Sequence, residues 1–107
     1  MIGSETLPKV LFSISSATTT ELLPAVSGRR YKVFGFEMQN KHATTDTDIT
    51  FKTATTAISP AFTVYAKGSY GRPAGPVAQF PAERGDALNL TTSAAGTLVG
   101  IIWYDID

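Results

Sequence analysis

An all-β fold, an antiparallel jelly-roll-like β-sandwich of about eight short strands, is what this sequence predicts. Three observations predict it. Fifteen threonines stand in 107 residues while Leu, Glu, Lys and Gln are sparse, and β-branched threonine suits a pleated, half-solvated surface better than a helix. Apolar residues alternate with polar ones in short runs separated by turn residues roughly every 8–12 positions, the rhythm of sandwiches and barrels. No segment carries an apolar stripe at helical spacing. The chain has one domain's worth of residues, enough to bury roughly 65% of its unfolded surface. We divide it into an N-terminal arm, residues 1–9, and a single sandwich domain, residues 10–107.

The elements follow in order. Met1–Lys9 holds Gly3 and Pro8 and shows no periodicity. Val10–Ser16 alternates, with Val10, Phe12 and Ile14 on one face and Ser13 and Ser15 on the other. Thr18–Val26 is a weaker extended run that Pro24 restricts to an edge or end. Ser27-Gly28 turns the chain into Arg29–Gln39, where Tyr31 and Val33 fall on one face and Phe34, Phe36 and Met38 on the other. Asn40–Thr47 is polar and reads as a loop. Thr47–Thr53 sends Ile49 and Phe51 inward and Asp48, Thr50 and Lys52 outward. Phe62–Ala66 is a short strand, and Lys67–Pro76, with three Gly and two Pro, reads as an irregular loop. Val77–Phe80 is short and extended, Pro81–Asp86 a turn, Ala87–Thr92 a strand and Ser93–Gly96 a tight turn.

Thr97–Ile106 closes the series and differs from every other strand. Leu98, Gly100, Ile102, Tyr104 and Ile106 share one face, while Val99, Ile101 and Trp103 make the other face apolar as well. A strand apolar on both faces is covered on both, and a two-layer domain offers one core. Two covers would serve the second face, a long loop or the N-terminal arm of the same chain, or a second subunit; we expect Val99, Ile101 and Trp103 in a subunit interface, with Arg29 and Arg30 pairing with acids across it. Left bare, such a strip invites aggregation.

Gly85-Asp86-Ala87-Leu88-Asn89-Leu90, Ser93-Ala94-Ala95 and Leu98, Gly100, Ile102, Tyr104, with upstream Gly28–Met38 and Asp48–Lys52, resemble small virion proteins of tailed bacteriophages. The similarity runs over roughly Gly28–Tyr104, and it implies a compact, often trimeric β-sandwich of the capsid decoration or cement type. The expectations drawn from it are a non-enzymatic structural protein on the capsid surface of a virion. It would be a homotrimer bridging copies of a major capsid protein, attached through an arm at Leu7, Pro8, Lys9 and Val10. Val99, Ile101 and Trp103 depart from the family pattern, in which that face is usually polar. The alternative is a host-recognition or carbohydrate-binding module of a phage tail fibre or spike, with Tyr65, Tyr70 and Arg72 around the Lys67–Gly75 loop as the ligand contacts.

Other chemistry is scarce. Nine Lys+Arg balance nine Asp+Glu, so no basic field exists to hold nucleic acid. There is no cysteine and one histidine, which leaves no thiolate site and no multi-histidine zinc site. Apolar runs fall far short of the ~20 residues that span a bilayer, and the N-terminus lacks the pattern of a signal peptide. Asp46-Thr47-Asp48 opens like a calcium loop, but no mid-loop Gly or closing Glu follows. Arg84-Gly85-Asp86 reads as a turn, His42 has no partner at a catalytic spacing, and Asn89-Leu90-Thr91 is a sequon inside a strand. We expect no catalytic residue, no cofactor and no metal.

Overall fold

The computed structural model describes residues 7–74, 78–94 and 96–107. Among these residues ten strands form: β1 Lys9–Ile14, β2 Thr19–Leu23, β3 Tyr31–Asn40, β4 Thr47–Thr53, β5 Thr56–Ala57, β6 Phe62–Val64, β7 Ser69–Arg72, β8 Phe80–Pro81, β9 Leu88–Thr92 and β10 Leu98–Ile106. They make two five-stranded sheets. One runs β1-β10-β3-β7 with β8 also on β3, and the other runs β2-β9-β4-β5 with β6 also on β4. Every pairing is antiparallel. The first strand lies beside the last and the second beside the penultimate, the winding of a jelly roll. The expected fold class is the observed one.

The alternation read from the sequence builds the core. Ile14, Met38, Leu98 and Ile102 from the first sheet meet Ile49, Leu88, Leu90 and Val64 from the second, all buried. At one end Phe36 stands edge-on to Phe51 at 5.1 Å, and Phe51 stacks on Phe80 at 5.4 Å. Such pairs add to the apolar burial that drives folding. Buried Asn40 is satisfied, donating from Nδ2 to the Thr45 and Val64 carbonyls while its Oδ1 accepts from the His42 amide. That network fastens the 41–46 loop to the sandwich.

Three expectations need correction. Tyr31 and Val33 do not face away from Phe36 and Met38. Opposite Trp103 lies Gly35 and opposite Tyr104 lies Val33, so Phe34 is an extra residue in β3. This bulge flips the phase and turns all four side chains into the core. The Lys67–Pro76 stretch is not wholly irregular, because Ser69–Arg72 pairs with Phe36–Gln39; its glycines hid a strand that tertiary pairing stabilises. Nor do Leu7–Val10 form a free arm. Leu7 is buried, Lys9 and Val10 belong to β1, and the Tyr104 amide donates to the Pro8 carbonyl at 3.0 Å. The pairing of β1 with β10 simply continues through them. Residues 1–6, 75–77 and 95 lie outside the described residues, and with them most of the expected arm, Gly75 and Pro76 of the expected loop, Val77 and Ala95.

Candidate functional site

Inner-face residues of the first sheet are fixed by burial, so the intervening residues face outward. Across its outer face the register runs in three rungs. Val99 lies between Ser13 and Gln39, Ile101 between Leu11 and Glu37, and Trp103 between Lys9 and Gly35. On the far side of β3, Ser69 faces Gln39 and Gly71 faces Glu37. Val99, Ile101 and Trp103 are thus on one outward face, as the sequence predicted, and are half-buried rather than sealed inside the chain.

Two cavities open on this face. One, about 380 Å³, is lined by Glu37, Ser69, Tyr70, Gly71, Arg72, Pro73, Ala74 and Trp103, with Phe36 at its floor. The other, about 370 Å³, is lined by Glu37, Gln39, Ser69, Val99 and Ile101, with Met38 and Gly100 beneath. They share Glu37 and Ser69, so they adjoin at these two residues and together make a trough across the face. Each falls in the size range of small-molecule sites.

Glycine shapes the trough. A Cβ on Gly35 would sit 2.5 Å from the Ala74 amide nitrogen and 2.8 Å from the Arg72 carbonyl oxygen. Only a bare backbone there lets residues 72–74 cross β3 and wall the Trp103 end. A Cβ on Gly71 would stand 2.7 Å from the Phe36 carbonyl and 3.2 Å from Glu37 Cγ. Its absence leaves Glu37 without a neighbouring side chain on the β7 side.

The polar groups are few and specific. Among the described residues Glu37 is exposed and makes no ion pair. Arg72 is committed elsewhere: its guanidinium lies 5.1 Å from the Phe62 ring centre and Nη1 donates to Gln79 Oε1 at 3.3 Å. Gln39 and Ser69 add neutral donors and acceptors. An indole beside a carboxylate, an amide and a hydroxyl can stack against a flat apolar ring face while bonding polar groups at the ring's edge.

The remaining sequence candidates lie elsewhere or only partly in the trough. Tyr70 lines it but turns its ring inward against Phe62, 5.2 Å away. Tyr65 is 67% exposed, beyond β6 and outside both cavities. Arg29 and Arg30 sit at the opposite end of β3. Arg30 Nε lies 3.3 Å from Asp107 Oδ2, which Lys32 and Arg84 also approach. Arg84-Gly85-Asp86 is a turn, with Gly85 at φ +88° and Arg84 donating to the Gly28 carbonyl. Asp46 accepts from the Ala66 amide and Asp48 from the Thr63 hydroxyl, so both are used by the fold. His42 Nδ1 accepts the Thr44 and Thr45 amides.

Glu37, Gln39 and Ser69 were missed as site residues. The outward placing of Glu37 and Gln39 was readable from their alternation with Phe36 and Met38. Their pairing with β7 was not, because the glycines disguised that strand.

No protein-family model matches the chain, and no curated protein matches it. Solved structures do. A protein of Bacillus endospore appendages, described as disulfide-linked pili, is 18% identical, with a TM-score of 0.56 over 92% of this chain and 82% of that one. PirA is 10% identical, with a TM-score of 0.52 over 91% of this chain and 93% of that one. The sugar-binding C-terminal domain of EclA is 13% identical, with a TM-score of 0.51 over 94% of this chain and 78% of that one. At such identities the likeness shows fold alone. The capsid decoration and cement function drawn from the phage resemblance is corrected on two grounds. The sandwich is shared by proteins as different as a pilus component and a sugar-binding domain, and the outer face of β10 borders a polar-walled trough, not only an apolar seam. What the comparisons establish is the architecture: a compact all-β sandwich common to functionally diverse proteins.

Proposed function

We propose that this chain is a carbohydrate-recognition module, of the kind a phage tail fibre or spike uses on a host surface, and that it binds an oligosaccharide without cleaving it. The observation that carries this is the joining of Trp103 and Glu37 in one trough walled by β7 and residues 73–74. Pyranose rings present an apolar face that stacks on an indole and a hydroxylated rim that carboxylate, amide and hydroxyl groups can bond. The sugar-binding domain of EclA is built on the same sandwich, which is consistent with this use. Two-carboxylate hydrolysis needs a second acid across the bond, and among the described residues Glu37 is the one acid lining the trough. A glycan array, followed by calorimetry on the strongest binder, tests the proposal. Trp103→Ala is expected to weaken binding about tenfold or more, the scale of losing an aromatic contact and its buried area. An array without a single saturable binder, or undiminished binding by Trp103→Ala, would overturn it.

A second reading rests on Leu11, which is 75% exposed and lies directly beside Ile101. Together they continue the apolar strip to the edge strand β1, where a second copy of the chain would cover it. Light scattering decides this, a trimer being the expected form and a concentration-independent monomer the contrary result.

A further inference from the structure

The trough carries information about which glycans it takes. We infer that it selects against acidic glycans and takes a neutral or amino-bearing oligosaccharide of at least two sugars, whose hydroxyl or ammonium group meets Glu37; this rests on the carbohydrate reading above. Two contiguous cavities of about 380 and 370 Å³ meet at Glu37 and Ser69, so a ligand filling both passes over the carboxylate. Among the described residues lining the trough, none neutralises that charge. The one lining cation, Arg72, is turned to Phe62 and Gln79, and Gln39, Ser69 and Trp103 are neutral. Gly71 opposite Glu37 leaves the carboxylate open to a ligand rather than to a neighbouring side chain. Lys9 flanks Trp103 from β1 but lines neither cavity.

An ionised carboxylate is acceptor-only. It bonds hydroxyls, bonds an ammonium more strongly, and repels a uronate, sialate or sulfate brought against it in a partly desolvated groove.

The experiment is an array of matched oligosaccharides in neutral, N-deacetylated and uronate- or sialate-bearing forms. It is read with wild type, Glu37→Gln and Trp103→Ala, at low and at high salt. Wild type should prefer neutral or amino forms over their acidic counterparts by about tenfold or more, and salt should shrink that preference. Glu37→Gln should bring the ratio close to one. Equal or better binding of the acidic forms by wild type overturns the inference, as does an unchanged ratio in Glu37→Gln. In those cases the carbohydrate reading survives as long as binding still depends on Trp103. Binding of no glycan at all defeats both. Because Glu37 is exposed, its neutral isostere is expected to fold normally. Ser69→Phe, on the edge strand, supplies an independent check by filling the junction of the two cavities, and it should reduce binding of all forms alike.

Discussion

The two outer faces of this sandwich are built from the same alternation yet leave opposite surfaces. On the second sheet, Thr19, Glu21, Asn89, Thr91, Thr50, Lys52 and Asp48 point away from the core. Some carry hydrogen bonds within the chain: Thr19 and Thr91 hydroxyls lie 2.7 Å apart, Thr63 donates to Asp48 at 2.7 Å, and Asn89 donates to the Ala54 carbonyl at 2.9 Å while its Oδ1 has no partner among the described residues. That face is polar throughout and partly bonded within the chain. On the first sheet, Leu11, Val99, Ile101 and Trp103 lie bare or half-bare beside an unpaired Glu37, over strands whose glycines remove side chains. A polar face of that kind is served by water. One that combines an indole, an apolar strip and an uncompensated charge is fitted for a ligand or a partner.

The largest expected effect lies beneath both faces. Phe36→Ala removes the ring that touches Phe51, Phe62, Tyr70 and Phe80 and should cost about 3–5 kcal/mol in denaturant unfolding. Because Phe36 also floors the trough, ligand binding should fall with it, coupling fold and site.

Charges placed on each face sharpen the contrast. Leu11→Glu should change unfolding free energy by about 0.5 kcal/mol or less, as surface substitutions do, and Thr91→Glu by about 0.2–1 kcal/mol, because it also removes the hydroxyl pair with Thr19. Only Leu11→Glu is expected to lower self-association, measured by light scattering across concentration. Equal effects of the two variants would erase the distinction between the faces.

Thr19→Ala breaks a cross-strand hydroxyl pair and should cost about 0.2–1 kcal/mol, with no change in glycan binding. The smallest effect touches neither face. Tyr31 donates to the Pro24 carbonyl at 2.6 Å, and burial, with Tyr104 and Glu21 nearby, raises its pKa above the ordinary value of 10.0. The folded state therefore holds this proton more tightly than the unfolded chain. Its contribution is complete below about pH 10 and is lost as pH climbs through the raised folded value. Tyr31→Phe should flatten that alkaline decline in a pH series of unfolding curves.

Much of this was legible in the sequence. The parity of Val99, Ile101 and Trp103 against Leu98 and Ile102 depends only on the two-residue period of a strand, and it held along all of β10. The jelly-roll class followed from strand number and turn spacing. The Phe34 bulge was hidden, since one inserted residue inverts a strand's facing without changing its composition. Strand β7 was hidden as well: Gly71 and the neighbouring prolines signal a loop locally, and only pairing with β3 makes Ser69–Arg72 extended. Of the ligand candidates read from the sequence, Tyr70 and Arg72 line the trough and Tyr65 does not, while Trp103 and Glu37 join them there only through the pairing of β3 with β7 and β10. From the sequence alone the strip of Val99, Ile101 and Trp103 reads as a subunit contact, because the sequence does not show that Glu37, Gln39 and Ser69 stand beside it.

Trp103 is the chain's one tryptophan, so its fluorescence reports on the proposed site alone. Titrating the strongest array glycan should shift that emission saturably, with the same midpoint as the calorimetric isotherm. A glycan that binds by calorimetry while the emission stays unchanged would place recognition away from the first sheet's outer face and contradict the assignment.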